Sequence, residues 1–189
     1  MLFRSAYQSL NVEFGHANLQ DLTSTLGQVI KGLGNVNFAK FSLEWRQYFN
    51  LQTPRKRLDE EKSTVALRFM LGSAVGTLPF FEQSFVGGAE TLRGYREDRF
   101  WGKYMFLSSA ELRQPLARSL TGVLFLDVGT AWGGSYSNVN IEGFKQSGFR
   151  PEIGVGVGMR VRTPLGPIRL DFGFGREGGR THFSIGHAF

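Results

Sequence analysis

The side chains best suited to chemistry lie in one stretch, residues 85–95, with the sequence FVGGAETLRGY. Paired glycines in this stretch allow backbone angles that are closed to other residues. A guanidinium is planar, always charged and able to donate two parallel hydrogen bonds, so Arg93 is suited to bind a carboxylate. The stretch alone leaves two interpretations open: an exposed loop with a solvated arginine, or a functional loop whose arginine meets an acid elsewhere. The residues of this candidate motif are Gly87, Gly88, Leu92, Arg93, Gly94 and Tyr95.

One acidic residue is placed to receive such an arginine. Asp127 lies inside the apolar run GVLFLDVGTAW, residues 122–132. An unpaired carboxylate in apolar surroundings is costly, so Asp127 needs a cationic or hydrogen-bonding partner. By alternation it faces the side that also carries Arg160 and Arg162. It also faces the place to which an inserted loop would bring Arg93.

Other kinds of chemistry have little support in the sequence. The chain has no cysteine, and its histidines, His16, His182 and His187, lack a third ligand at metal-binding spacing. Three alternating glycines in residues 154–158 are not followed by a helix start, as a phosphate-binding loop requires. The basic residues do not interleave with aromatics as in nucleic-acid-binding surfaces. We therefore predict no catalytic residue, metal, cofactor or nucleic-acid partner, and we expect that the protein is not an enzyme.

Eight segments must position these residues, and each alternates between apolar and polar side chains, which is the period of β-strands. Their lengths lie near the ~9–11 residues that a tilted strand needs to cross a bilayer. In the first long loop, apolar residues recur at helical spacing over residues 18–35 and predict a short amphipathic helix. The predicted strands are residues 2–15, 38–51, 63–76, 103–114, 120–132, 153–162, 168–174 and 180–189.

The two faces of the predicted sheet differ in kind. One face is continuously large and apolar, and the other carries charged residues. A membrane barrel places the apolar face in lipid and the charged face in a polar lumen, with long loops at one end and short turns at the other. A soluble sandwich or barrel, which would bury the apolar face, stays open as the alternative. The charged face carries Lys40, Glu44, Arg46, Arg68, Glu111, Arg113, Asp127, Arg160, Arg162, Arg169 and Asp171.

The predicted fold class is therefore all-β: an antiparallel transmembrane β-barrel that forms one domain over residues 1–189. A barrel of eight strands is just wide enough to be filled by its own side chains. That leaves little room for so much charge together with so much glycine. The eight strands thus suit half of a larger barrel, completed by further strands or by a second copy.

Four spaced motifs resemble the C-terminal barrel region of the BamA/TamA superfamily of outer-membrane assembly and translocation proteins, whose domain is called bacterial surface antigen. The resemblance covers residues 69–189, whereas residues 1–62 fit only by their strand pattern. It implies that this chain corresponds to the last eight strands of a sixteen-strand barrel, without the family's N-terminal POTRA domains. The motifs are VGGAETLRGY (residues 86–95), AELRQPL (110–116), FLDVG (125–129) and TPLGPIRLD (163–171) followed by the terminal Phe189.

The resemblance also implies roles for individual residues. In that family an (I/V)RG(F/Y) loop tip folds into the lumen, and its arginine pairs with an acid on the barrel wall. The resemblance therefore implies a lumen-directed loop over residues 77–102 here. Arg93 corresponds to that arginine, with leucine at position 92 where isoleucine or valine is commoner. Asp127 corresponds to the wall acid, and Glu111 is a second candidate acceptor because it also faces the lumen. The implied assembly signature of the last strand consists of Phe183, Ile185 and Phe189.

The function implied by the resemblance is the insertion of outer-membrane proteins, or the translocation of proteins, by pairing an incoming strand with a barrel edge at a lateral gate. The implied location is a bacterial or organellar outer membrane. The implied partners are membrane lipids, outer-leaflet lipopolysaccharide and unfolded outer-membrane or secreted client proteins. A net charge of +6 agrees with an anionic partner such as lipid head groups. The alternative is a passive outer-membrane pore or structural barrel without assembly activity.

Overall fold

An antiparallel sheet of eight strands makes up most of the protein in a computed structural model. The structure describes residues 4–20, 22–23, 29–30, 34–51, 62–134, 148–164 and 166–186. Within these residues the strands are β1 (Arg4–Leu19), β2 (Leu22–Thr23), β3 (Val29–Ile30), β4 (Gly34–Asn50), β5 (Thr64–Gly76), β6 (Ser84–Val86), β7 (Phe100–Gly102), β8 (Tyr104–Ala117), β9 (Leu120–Trp132), β10 (Glu152–Thr163), β11 (Gly166–Gly175) and β12 (Gly178–Ile185).

The strand order of the large sheet is β1-β4-β5-β8-β9-β10-β11-β12, and every neighbouring pair is antiparallel. Each long strand therefore pairs with the long strands before and after it in the chain. The prediction of an all-β fold with eight antiparallel strands is confirmed. In the part of the chain that the structure describes, β1 and β12 lie at opposite ends of the sheet and do not pair with each other.

Alternation along each strand produces one apolar outer face and one charged inner face. On β9, Leu124 and Leu126 are 55% and 44% exposed, whereas the intervening Val123, Phe125 and Asp127 are buried. Because alternate residues of a strand point to opposite faces, the exposed leucines form part of a continuous apolar surface. An exposed apolar surface this large requires an apolar environment, which a transmembrane barrel finds in lipid.

The short helix predicted in the first long loop is wrong wherever the structure describes that segment. Residues up to Leu19 belong to β1, and residues from Gly34 onward belong to β4. Between them β2 and β3 form a small antiparallel ladder. Three of its four residues are β-branched, which favours strand over helix, and the hairpin of β1 and β4 brings the two short strands together. The paired residues are Leu22 with Ile30 and Thr23 with Val29.

Residues 77–102 lie against the inner face of the sheet, and we call them the inner loop. The loop contains a single 3-10 turn, Phe80–Glu82, and a short ladder between β6 and β7. It makes polar contacts with every strand of the large sheet from β4 to β12. No helix within the described residues is long and apolar enough to cross a membrane. The apolar residues buried between loop and sheet are Val86, Leu92, Tyr95, Phe100 and Ala131.

An added charge should destabilise the protein on the outer face of the sheet but not on the inner face. We expect that Leu126→Arg, at the middle of β9 on the outer face, lowers the free energy of unfolding by about 2–4 kcal/mol, because it places a cation in lipid. Asn11→Arg is the matched control, since Asn11 is exposed on the inner face of β1. The free energy of unfolding of both variants is measured by denaturant titration of the protein folded in lipid vesicles. Equal stability of the two would contradict the assignment of the faces.

Candidate functional site

The centre of the candidate site is the buried guanidinium of Arg93 at the tip of the inner loop. Arg93 is only 2% exposed. Its Nε and Nη2 donate to the two carboxylate oxygens of Asp127 at 2.7 and 2.8 Å. Its Nη1 donates to Oε1 of Glu111 at 2.5 Å, and its backbone N–H also donates to Asp127, at 3.2 Å. The loop arginine thus contacts both acids that the sequence pointed to.

Strand register explains why these two acids meet one guanidinium. Asp127 of β9 lies opposite Ser109 of β8, and Glu111, two residues further along β8, lies opposite Phe125. All four side chains share the inner face because they occupy matching alternate positions. The guanidinium of Arg93 lies 3.6 Å from the centroid of the Phe125 ring, between the two acids. A cation over an aromatic face adds attraction to the ion pairs.

The charges around Arg93 alternate in sign. A third carboxylate, Asp171 of β11, lies 3.7 Å from Nη1 of Arg93. Arg160 of β10 bonds Asp171, and Arg113 of β8 contacts Glu111 at 2.8 Å. Each buried charge of this cluster therefore has an opposite charge beside it, which is the condition under which buried ions are tolerated.

Arg93 stays a cation throughout the physiological pH range. Burial alone lowers the pKa of Arg93, but hydrogen bonds and charge from Asp127, with the charges of Glu111 and Asp171, raise that pKa overall. The cluster can therefore hold the loop by fixed charge. Within the residues that the structure describes, no three histidine, aspartate or glutamate side chains are arranged to hold a metal ion.

The loop tip approaches the sheet closely because β10 and β11 carry glycine beneath it. A Cβ at Gly154 would overlap the carbonyl oxygen of Arg93, and a Cβ at Gly173 would lie 2.5 Å from the backbone nitrogen of Gly94. Gly94 itself has a φ of 94°, which other residues rarely adopt. The glycines on both sides of this contact let backbone pack directly against backbone.

Tyr95 fixes the other side of the tip. Its hydroxyl donates to the Glu152 carboxylate at 3.0 Å and accepts the backbone N–H of Arg176 at 3.1 Å. Its ring lies over Gly175, where a Cβ would come within 2.5 Å of the ring carbon Cε2. Burial raises the pKa of Tyr95, so the hydroxyl remains protonated and able to donate. Tyr95 thereby ties the loop tip to β10 and to the turn between β11 and β12.

Gly87 and Gly88 shape the turn that leads to the tip. Their φ angles are 138° and 94°. The N–H of Gly87 donates to the Thr91 hydroxyl at 2.8 Å, and the N–H of Gly88 donates to the Leu92 carbonyl at 3.1 Å. A Cβ at Gly88 would overlap the carboxylate of Glu97. The paired glycines therefore close a compact turn, and the Leu92 side chain at its end is fully buried.

Several contacts of the inner loop involve residues that sequence reasoning did not single out as its partners. Alternation placed some of them on the inner face, but it gave no indication of which loop atom each would meet. The hydrogen bond from Arg99 also lowers the pKa of Glu177, in the turn between β11 and β12. The additional contacts are Lys40 with Glu82 (2.9 Å), the Gly94 N–H with Nε2 of His182 (3.3 Å), Arg99 with Glu177 (2.8 Å) and Arg169 with Glu90 (2.6 Å).

The residues predicted as a signature of the last strand lie apart from the loop site. Phe183 and Ile185 of β12 are 63% and 65% exposed on the outer face. Between them and Arg93 lies the thickness of the sheet, so they do not contribute to the charged cluster. Phe189 lies outside the residues that the structure describes.

Comparison with known proteins identifies relatives in bacterial outer membranes and chloroplast outer envelopes. A model of the Omp85 superfamily domain matches residues 4–189. The chloroplastic outer envelope protein 80 of Arabidopsis thaliana is 29% identical over 202 residues, covering 98% of this chain and 27% of its own length. The outer membrane protein assembly factor BamA of Nitratidesulfovibrio vulgaris is 29% identical over 179 residues, covering 82% of this chain and 21% of its own. The chain thus spans about a quarter of the length of these relatives.

A solved structure shares the fold. The crystal structure of BamA from Haemophilus ducreyi lacking POTRA domains 1-3 aligns with a TM-score of 0.57, over 80% of this chain and 36% of that chain. The sequence identity is 15%, so the likeness concerns the fold alone. It shows that the open eight-stranded sheet has the architecture of part of a transmembrane β-barrel.

A single methyl group should displace the loop tip. We expect that Gly173→Ala costs about 1–3 kcal/mol of loop docking, because its Cβ would press on the backbone of Gly94. The displaced loop should be cleaved faster by added protease while the strands stay folded. Gly148→Ala is the control, because a Cβ there has nothing within 4 Å. If both variants are cleaved at the wild-type rate, the close contact does not hold the loop.

Proposed function

Because this chain belongs to the Omp85 superfamily, we propose that it assists the insertion of β-barrel proteins into an outer membrane or the passage of proteins across it. Its fold is a transmembrane β-barrel of the outer-membrane kind, shared with bacterial and chloroplast relatives. One of these relatives is named an outer membrane protein assembly factor, which supports the insertion hypothesis. The coverage of those relatives is partial, so activity, clients and partners are inferred for the whole protein of which this sheet is a part.

The observation that carries the proposal is the position of the inner loop. Its tip is held to β9 by Arg93 and to β12, at one end of the described sheet, by the hydrogen bond from Gly94 to His182. The loop therefore ties a strand at the end of the sheet to the interior of its wall. A loop placed in this way can control the geometry of a strand at which a client would pair.

The proposed mechanism is strand templating without covalent chemistry. Lipid cannot satisfy backbone N–H and C=O groups, so an incoming strand gains stability by pairing with an exposed barrel edge. Main-chain hydrogen bonds of this kind accept many sequences, which suits a protein with varied clients. The proposed partners are unfolded outer-membrane or secreted proteins and membrane lipids, including lipopolysaccharide in a bacterial outer leaflet.

Arg93 has the role of a pin in this mechanism. A buried ion pair adds little net stability compared with apolar packing, but breaking it leaves uncompensated charge and costs about 3–5 kcal/mol. Removal of Arg93 would take from the Asp127 carboxylate, which is 0% exposed, the guanidinium that contacts both of its oxygens. Glu111, which is 1% exposed, would lose one cation and keep Arg113. The cluster is thus suited to hold a single loop position rather than to add stability.

The test replaces Arg93 in the complete protein, reconstituted in lipid vesicles with an unfolded β-barrel client. We expect Arg93→Ala to release the loop to added protease and to slow client insertion, measured by the heat-dependent gel mobility of the folded client. Arg93→Lys keeps the charge but loses the planar guanidinium that donates two hydrogen bonds to Asp127. We therefore expect intermediate rates of loop cleavage and client insertion for this variant. The control is Arg118→Ala, because Arg118 is exposed in the turn between β8 and β9.

Two outcomes would count against the proposal. If Arg93→Ala releases the loop while client insertion proceeds at the wild-type rate, the pin has no part in assembly. If the intact protein conducts ions across planar bilayers but never accelerates client insertion, it is a passive pore.

A further inference from the structure

A second set of contacts holds the inner loop three residues before its tip. Arg169 of β11 donates from Nη1 to Oε1 of Glu90 at 2.6 Å and from Nη2 to the carbonyl of Ala89 at 3.1 Å. From the other side, Arg68 of β5 donates from Nη1 to the carbonyl of Glu90 at 2.9 Å. Two arginines on strands separated by β8, β9 and β10 therefore hold consecutive residues of the loop.

The buried guanidinium of Arg169 needs the negative charge that the inner loop supplies. Arg169 is 1% exposed, whereas the Glu90 side chain that contacts it is 55% exposed. In the sheet, Arg169 lies directly opposite Arg160 of β10. Like charges in opposite positions repel each other, and a buried cation needs an anion. Asp171 serves both arginines, and Glu90 brings a further negative charge to Arg169 from the loop.

The segment between these contacts and Arg93 is compact, so the position of one end constrains the other. The N–H of Thr91 donates to the Gly88 carbonyl at 3.3 Å, and the N–H of Gly88 donates to the Leu92 carbonyl at 3.1 Å. Asp171 also links the two ends electrostatically. Its Oδ2 lies 3.4 Å from Nη2 of Arg169 and 3.7 Å from Nη1 of Arg93.

We propose that Arg169 and Glu90 form a second latch of the inner loop, which positions Arg93 and opens together with the Arg93–Asp127 pair when the loop leaves the wall. Arg169 is a positioning residue in this account, since it acts through the loop. The latch goes beyond the proposed function, because it concerns the loop equilibrium whether or not the barrel inserts clients. It also predicts that loss of Arg93 alone releases the loop only in part.

The absence of cysteine from the chain makes a direct test available. Leu92→Cys places a reporter at a fully buried position, and its rate of reaction with a water-soluble maleimide measures loop opening in the protein folded in lipid vesicles. In this background, Arg169→Gln should raise the labelling rate about tenfold or more, as expected for the loss of hydrogen bonds to a charged group. Glu90→Gln should raise it less, because the bond from Arg169 to the Ala89 carbonyl remains.

Three comparisons decide the result. Glu90 is exposed, so Glu90→Gln should fold normally and decides the matter even if Arg169→Gln fails to fold. The double variant Glu90→Gln with Arg93→Gln should be labelled faster than either single variant. Arg118→Gln, in an exposed turn, is the control and should leave labelling unchanged.

Labelling of Glu90→Gln at the wild-type rate would overturn the second latch, and so would a double variant no faster than Arg93→Gln alone. If the variants change the thermal unfolding temperature but not the labelling rate, the Arg169–Glu90 pair stabilises the fold without controlling the loop, and the latch is rejected. Client insertion measured on the same variants separates this result from the proposed function. Faster labelling with unaltered insertion would leave the latch standing and count against the loop's role in assembly.

Discussion

The structure depends on one buried guanidinium that has several carboxylates within reach. Arg93 comes from a loop, and its partners Asp127, Glu111 and Asp171 come from three different strands. Separating Arg93 from Asp127 would leave each of these two buried charges without the other, and an unpaired charge on a buried face is costly. The loop and the wall are therefore complementary in charge, and the position of the loop follows from the strand register that aligns the acids.

That register in turn suits a sheet with lipid on its outer side and a polar interior on its inner side. The outer face needs apolar side chains at alternate positions, which leaves the inner face free to carry charge. Glycine at Gly154 and Gly173 then removes the side chains that would keep the loop backbone away. One alternating pattern along the strands thus accounts for three features of the inner face: the packing of the loop tip, the ion pairs of Arg93 and the proposed latch at Arg169.

The sequence predicted the eight long strands well because period-two alternation is local and repeats in every strand. It failed in the described part of residues 18–35, where leucines at helical spacing outweighed the β-branched residues and the pairing of neighbouring strands that only the fold supplies. Alternation also placed Asp127, Arg169 and Asp171 on one face. It could not show that Glu90 meets Arg169, or that Gly94 meets His182, because those contacts depend on the path of a loop with no periodicity.

The central claim is that the inner loop is docked on the charged wall when the protein is in a membrane. The direct measurement compares maleimide labelling of two single-cysteine variants in lipid, Leu92→Cys at a fully buried position and Arg96→Cys at an exposed one. A docked loop predicts rapid labelling at position 96 and protection at position 92, and the protection should be weaker when Arg93 is replaced. Equal and rapid labelling at both positions in the otherwise unaltered protein would contradict the account.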